Sequence, residues 1–365
     1  DEVLKQDIML HFPYHSFDPI IELLREAAMD EFVQEIKITA YRLADNSKVI
    51  NALVNAARNG KKVTVMLELR ARFDEEANLE WKEKLEEEGV RVLIGVNNMK
   101  VHAKICAIKK RIKNKTIHYG FVSTGNLNED TARVYGDHCL LTANRNIMAD
   151  INRIFSYLEH PIMSRLKLLR QCKTLVVCPT GMRNHFKKLV VEEIKQAMKG
   201  HPAAITVKMN SLSDQQMIDM LAGAAKAGVK VQLIVRGIFS LYSENKKYKT
   251  PIKAISIVDQ YLEHSRVLIF HNKGKEKVYL SSADWMVRNL DHRIEAAVEV
   301  TNEAIKQELI EYTNIQLKDN EKARILDNEL QNQYVRKKGK SVRSQVEIYN
   351  YLHHKTLKQI ETGSN

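Results

Sequence analysis

Two periodicities run through the chain, and their order predicts the architecture. From Ile20 to Phe32, Ile20, Leu23, Leu24, Ala27 and Ala28 recur at helical spacing and form one apolar stripe. Ile36-Lys37-Ile38-Thr39-Ala40-Tyr41 alternates as a strand does, which brings Arg42 to its C-terminal end. Ser47 is placed to cap a helix bearing Val49, Ile50, Leu53, Val54 and Ala57, and Gly60 ends it. A buried strand follows over 63–69 and runs into Arg70-Ala71-Arg72-Phe73-Asp74. A charged helix to Glu88 and a strand at 90–94 complete the run. This β-α-β-α-β rhythm predicts parallel strands with helices on both faces. The segment before it, from Leu10 to Pro19, reads as a turn-rich lead-in.

The pattern then changes to short strands and small polar loops. Val101-His102-Ala103-Lys104-Ile105 has its echo in Glu263-His264-Ser265-Arg266-Val267. Strand alternation sets His102 with Lys104, and His264 with Arg266, on one exposed face. A lone strand histidine is usually structural, but two His-x-cation pairs in a repeated setting are a rarer coincidence. Each pair offers an imidazole nucleophile beside a fixed cation, which suits attack on an anionic phosphorus centre. A hairpin around Lys113-Asn114-Lys115 leads to Ser123-Thr124-Gly125-Asn126-Leu127-Asn128-Glu129, where backbone N–H groups can approach a phosphate. Tyr135 and Asp137 open the next strand.

Residues 205–234 repeat the order of 36–66, with Gly228-Val229-Lys230-Val231 standing against Gly60-Lys61-Lys62-Val63. Ser281-Ser282-Ala283-Asp284 parallels the loop at Gly125. The expected fold class is therefore α/β: two tandem domains, each a mixed, mostly parallel sheet flanked by helices, packed as a pseudo-dimer. The expected domains are 1–169 and 170–365, the latter ending in a charged helical segment from Glu303 with a basic run at 336–340.

The net charge is +12, from 57 Lys and Arg against 45 Asp and Glu, which favours polyanionic partners without choosing among them. Four cysteines without a CxxC pair read as reduced thiols in a cytosolic protein. No apolar run reaches membrane-spanning length and no signal peptide opens the chain. The start at Asp1 suggests the C-terminal portion of a longer protein.

The doubled histidine strands resemble the phospholipase D superfamily. Its acidic residue seven positions after each histidine is missing here, replaced by Lys109 and His271, which disfavours an ordinary phospholipase D or nuclease. A closer likeness covers nearly the whole chain. Residues 12–18 (FPYHSFD), 38–42 (ITAYR), 68–75 (ELRARFDE), 125–129 (GNLNE), 281–286 (SSADWM) and 288–291 (RNLD) are similar to the C-terminal catalytic half of bacterial polyphosphate kinases. That resemblance implies reversible transfer of the terminal phosphate of ATP to polyphosphate through a phosphohistidine, releasing ADP, with Mg²⁺ as cofactor. The alternative is a phospholipase D-type phosphodiesterase acting on nucleic acid or lipid. A non-catalytic polyanion scaffold is a third reading.

By motif position His102 resembles the phosphorylated histidine of that family, although residue chemistry alone does not choose between His102 and His264. Lys104 would neutralise phosphoryl oxygens, and His264 would act as acid/base or as a nucleotide contact, with Arg266 beside it. Arg42 and Arg72 fall on positions associated with magnesium and phosphate. As cations they are expected to hold phosphate oxygens, with Mg²⁺ held by the nucleotide; strand-end surface charge is the other reading. Tyr135 and Arg236 look like nucleotide contacts, Tyr135 alternatively core. Asn126, Asn128 and Glu129 are expected to shape the phosphate pocket, and Trp285 to be either an aromatic wall or core. The implied partners are ATP/ADP and polyphosphate, not nucleic acid. The implied location is cytoplasmic, with peripheral association at the inner membrane also implied, and the family assembles as homo-oligomers through a head domain that this sequence is expected to lack, which leaves its own oligomeric state open.

Overall fold

The structure, a computed structural model, describes the chain except residues 1, 42, 45, 69–74, 96–98, 163–164, 337–338 and 364–365, and without the side chains of 75–77 and 359–363. Its first strands are β1 (Ile8–Phe12), β2 (Val33–Ala40), β3 (Lys62–Leu67), β4 (Arg91–Ile94), β5 (Lys100–Val101), β6 (Lys104–Ile112), β7 (Lys115–Ser123), β8 (Tyr135–Thr142) and β9 (Leu175–Val177). Then follow β10 (Ala204–Met209), β11 (Lys230–Val235), β12 (Lys253–Ile257), β13 (Leu262–Glu263), β14 (Arg266–Phe270), β15 (Lys277–Ser281), β16 (Arg293–Ile294), β17 (Ala296–Glu299) and β18 (Ala323–Ile325).

Packing groups the chain otherwise than sequence order does. One compact unit gathers Asp1–Phe186, His264–Arg266 and Tyr279–Glu299; the other holds Lys187–Glu263, Val267–Val278 and Val300–Asn365. Both histidine motifs therefore belong to the first unit.

The main sheet of the first unit runs β1-β8-β7-β6-β2-β3-β4. The expected parallel arrangement holds for β2, β3 and β4, while β6, β7, β8 and β1 follow antiparallel. The helix Lys48–Arg58 between β2 and β3 starts where expected: Ser47 Oγ accepts the N–H of Ile50 at 3.3 Å. Burying Ile20, Ile21, Leu24, Ile50, Leu53, Ile36 and Val65 against each other removes most of their surface from water, the main favourable term for this core. A short antiparallel ribbon pairs β17 with β9 and with the Tyr279–Ser281 end of β15, and β16 lies parallel to β5.

Two expectations need correction here. The lead-in at Leu10 to Pro19 is not wholly turn: Leu10-His11-Phe12 belong to β1, paired with β8, and the turn begins only at Pro13. The pairing comes from β8, far along the chain, so no local pattern announces it. The first amphipathic helix covers Asp18–Met29, ending before Phe32, because Asp30 Oδ1 accepts the N–H of Phe32 at 2.8 Å and turns the chain into β2.

The second unit reproduces the repeat. β10, β11 and β12 are parallel, and β14 pairs antiparallel with β10. Between β10 and β11, the helix Gln215–Ala227 is capped by Asp214, whose Oδ1 accepts the N–H of Met217 at 3.1 Å. Gly228 then takes φ +102°, a left-handed turn that favours glycine. Its C-terminal region is helical at Glu303–Lys318 and Ser344–Gly363, with β18 and irregular chain between them. All four cysteines are free thiols, and no helix among the described residues is long and apolar enough to cross a membrane.

Candidate active site

The histidine motifs are strands only in part. β5 stops at Val101 and β6 starts at Lys104, leaving His102 and Ala103 between them; His264 and Ser265 stand in the same way between β13 and β14. The reason lies in the backbone. The N–H groups of His102 and Ala103 both donate to Ile294 O (2.9 Å each), and those of His264 and Ser265 both donate to Gly136 O (3.1 and 2.7 Å). Two consecutive donors converging on one carbonyl cannot belong to a regular ladder, where successive N–H groups point oppositely. Thr39 holds the first kink, its Oγ1 donating to Ala103 O (2.7 Å) and accepting from Ile105 N (3.0 Å). Glu68, itself buried, accepts the N–H of Val101 at 2.9 Å.

The expected exposed face is buried. His102 is 9% exposed, Lys104 2% and Arg266 3%. Lys104 donates its ammonium to His102 O at 2.5 Å and lies 5.3 Å from the centre of the Tyr41 ring. Burial, opposed by Glu295, drives its pKa well below the usual lysine value. Its first role in this arrangement is to brace the His102 backbone.

The decisive groups are two carboxylates. His102 Nδ1 lies 2.9 Å from Glu295 Oε2, and His264 Nδ1 lies 2.7 Å from Asp137 Oδ2. Against a carboxylate the nitrogen carries the proton and donates it, so each imidazole presents Nε2 as its lone-pair atom. Each carboxylate comes from the opposite half of the sequence to its histidine, 193 and 127 residues away respectively. The loops hold them alike: Thr124 Oγ1 donates to Asp137 Oδ1 at 2.6 Å, and the Ser282 hydroxyl donates to Glu295 Oε2.

The electrostatics favour neutral imidazoles. His102 is pushed well below its ordinary pKa by burial first and then by Lys104, Arg293 and Arg266; His264 is lowered by burial, with Asp137 pulling the other way. The carboxylates diverge. Burial would raise Asp137, but His264, Thr124 and Arg266 outweigh it and hold Asp137 low, whereas burial prevails at Glu295 and raises it.

Gly125 is required by this packing. A β-carbon there would stand 2.3 Å from Asp137 Oδ2, and its N–H is spent on Ser123 Oγ at 3.2 Å. The glycine thus makes room for the carboxylate of His264.

Tyr135 meets His264 ring to ring at 5.2 Å, and Tyr41 meets His102 at 4.9 Å, nearly perpendicular. Arg266 is held by Asp284 (3.2 and 3.3 Å), by His264 O (2.9 Å) and by His264 Nε2 (3.3 Å). Asn126 Oδ1 is a buried acceptor with no partner among the described residues. Asn128 caps the turn after it, Oδ1 accepting from Asp130 and Thr131 N–H groups, and Glu129 accepts the N–H of Lys48 at 2.5 Å. Trp285 is core, 1% exposed and packed on Phe186. Arg236 belongs to the second unit, at the end of β11, where it donates to Asn210 Oδ1 at 2.6 Å. Arg42 and Arg72 lie outside the described residues. Among the described residues, no group of three His, Cys, Asp or Glu is placed to hold a metal ion.

Neither Glu295 nor the role of Asp137 follows from the local sequence pattern. A signal existed: Thr124 precedes Asp137, and Ser282 precedes Glu295, by the same thirteen positions.

Known proteins resemble this chain along nearly its whole length. Residues 1–164 match the family described as polyphosphate kinase C-terminal domain 1, and residues 175–345 match polyphosphate kinase C-terminal domain 2. A polyphosphate kinase of Vibrio cholerae is 46% identical over 96% of this chain and 50% of its own length; that of Escherichia coli K12 is 44% identical over 99% and 52%. The chain thus spans about half the length of the curated relatives it matches. The crystal structure of the Porphyromonas gingivalis polyphosphate kinase superposes with a TM-score of 0.89 at 40% identity, covering 97% of this chain and 53% of that one. A Haemophilus influenzae phosphatidylserine synthase, 12% identical with a TM-score of 0.59 over 98% of this chain and 95% of its own, shares the two-domain α/β fold. The chain belongs to the polyphosphate kinase family and comprises its C-terminal domains 1 and 2.

Proposed function

We propose that this chain carries the phosphotransfer chemistry of a polyphosphate kinase, moving the terminal phosphate of ATP onto polyphosphate through a phosphohistidine at His102. The observation that carries the reading is the pair of buried imidazoles, each with Nδ1 fixed by a carboxylate, of which His102 has no partner at Nε2 among the described residues. In the first step His102 Nε2 attacks the γ-phosphorus. The N–P bond forms as the bond to the β–γ bridging oxygen breaks, and ADP leaves with that electron pair. The ring gains positive charge, which Glu295 offsets while accepting the Nδ1 proton's hydrogen bond. A terminal oxygen of polyphosphate then attacks phosphorus, the N–P bond breaks, and the imidazole returns neutral. One anhydride replaces another, so the sequence of steps runs in either direction.

In this reading His264, between Asp137 and Arg266, serves the oxygen that departs or enters, and Tyr135 supports its ring. Mg²⁺, held through the phosphates of the nucleotide, would offset negative charge on the group being transferred. The excess positive charge suits a polyanionic product, and a cytoplasmic setting supplies ATP. Incubation with γ-labelled ATP and Mg²⁺ tests the proposal. Expected are an intact-mass gain of one phosphate mapped to the His102 peptide, acid-labile label and released ADP. Neither label nor ADP, or a label that survives His102→Ala, would overturn it.

A further inference from the structure

Glu295 and Asp137 have parallel duties but unequal company. Asp137 receives His264 Nδ1–H and the Thr124 hydroxyl. Glu295 receives the corresponding pair, His102 Nδ1–H and the Ser282 hydroxyl, both on Oε2. It also receives a third donor: Asn289 Nδ2 donates to Glu295 Oε1 at 2.8 Å. Asn289 lies in the short helix Val287–His292 and is 1% exposed.

Its other amide atom shows what the residue is for. Asn289 Oδ1 is buried and has no hydrogen-bond partner among the described residues. A buried acceptor without a donor is unfavourable, so selection for packing or stability alone would place an apolar side chain here. Turning the amide over would not help, since it would set Oδ1 against the carboxylate oxygen. The side chain is thus oriented by its N–H alone, and that N–H points at Glu295.

We infer that Asn289 is a positioning residue for the nucleophile: by filling Oε1 of Glu295 it keeps that carboxylate aimed through Oε2 at His102 Nδ1, so that Nε2 faces the phosphorus. Glu295 is wholly buried, and burial raises its pKa, so an ionised carboxylate here depends on donors. Arg293 is too far to replace the amide, at 3.9 Å from Oε1. With Asn289 removed, Oε1 and Oε2 compete for the two remaining donors, and the Nδ1 proton is held less well.

The inference rests on the proposed phosphohistidine reaction, and its test separates the two. The variant is Asn289→Leu, similar in size, which removes the donor together with the unpartnered acceptor. The first readout needs no catalysis: ¹⁵N spectra of histidine-labelled protein, with His102 assigned by comparison with His102→Ala. The expected result is an Nδ1–H tautomer with a strongly hydrogen-bonded proton in the parent, and a mixed tautomer or weakened bond in Asn289→Leu. Thermal unfolding is expected at the parent temperature or above it. The second readout is single-turnover labelling by γ-labelled ATP, expected to fall about 10–100-fold with the ATP dependence unchanged. In a Glu295→Ala background the same substitution should cost less than about twofold, because its effect passes through the carboxylate. An unchanged His102 tautomer overturns the inference, as does a labelling loss that is additive with Glu295→Ala or that follows a fall in unfolding temperature. A parent that shows the expected tautomer but takes no label from ATP counts against the proposed reaction and leaves the tautomer result to decide the inference.

Discussion

The two histidine sites of the first unit are built alike and differ in two contacts. Both have a kinked backbone gathered by one carbonyl, a carboxylate on Nδ1, a hydroxyl holding that carboxylate and a tyrosine ring against the imidazole. At His264, Arg266 donates into Nε2, so both ring nitrogens are engaged. At His102 the cation is Lys104, which turns back to the carbonyl of His102 and leaves Nε2 with no partner among the described residues. The remaining difference is Asn289, which gives Glu295 a donor that Asp137 lacks. In the proposed reaction, a duplicated motif would thus separate into a site that attacks and a site that stabilises.

The largest expected effect breaks the pair outright. His102→Ala should lower phosphohistidine labelling by about 10³-fold or more, since in the proposed reaction His102 takes the phosphate. His264→Ala should slow labelling and turnover by about 10²–10⁴-fold, the range of a lost acid–base partner, while a long incubation still puts label on His102. Equal, complete loss in both variants would show that the sites do not divide the work. Label on His264 in the His102 variant would reverse the assignment.

The carboxylates sharpen the contrast. Glu295→Gln still accepts from Nδ1 but no longer offsets charge on the ring, so labelling should drop roughly 100-fold. Asp137→Asn should reduce labelling roughly tenfold or less and act mainly on transfer to polyphosphate. Their stability effects should have opposite signs. Asp137 is held below its ordinary pKa, so its contribution is present above the unfolded value and is lost as pH falls through the folded one. Asp137→Asn should cost about 1–3 kcal/mol at neutral pH, and less in acid. Glu295 is raised, so its contribution is fully present below the unfolded value and is lost as pH climbs through the folded one. Glu295→Gln should therefore unfold no more easily at pH 7, and relatively less well protected at pH 4. Denaturant titrations at the two pH values read both signs, and matching signs would contradict the contrast.

This asymmetry also marks how far the sequence could be read. The His-x-cation pairs, the Ser47 and Asp214 caps, and the repeated strand-helix-strand units were legible because each depends on neighbours within a few positions. β1 and the backbone kinks were not legible, since β8, Ile294 and Gly136 create them from elsewhere in the chain. Strand parity groups His102 with Lys104 yet says nothing about what covers them, and the structure buries both. The carboxylates were hidden for the same reason. Asp137 stands in β8 and Glu295 in the one-residue gap between β16 and β17, where each passes for an ordinary polar position, and only the matched thirteen-residue spacing from Thr124 and Ser282 ties them together.

The smallest expected effects lie in the rings. Tyr41 stands at right angles to His102 at 4.9 Å and also carries Lys104 over its face, whereas Tyr135 meets His264 at 5.2 Å with a 54° tilt. Contacts of this kind are worth about 0.5–1.5 kcal/mol, which bounds the effect of removing one near tenfold. Tyr41→Leu should therefore slow labelling of His102 by about three- to tenfold, because it loosens both the imidazole and the lysine bracing its backbone. Tyr135→Leu should leave labelling within about twofold and slow only the transfer of phosphate onward. Tyr→Phe at either position keeps the ring and should restore most of the rate. Rapid-quench measurement of the two half-reactions separates these outcomes. If Tyr135→Leu slowed labelling as much as Tyr41→Leu does, the two sites would act as one catalytic body, and the division of labour drawn from Nε2 would fail at its most sensitive point.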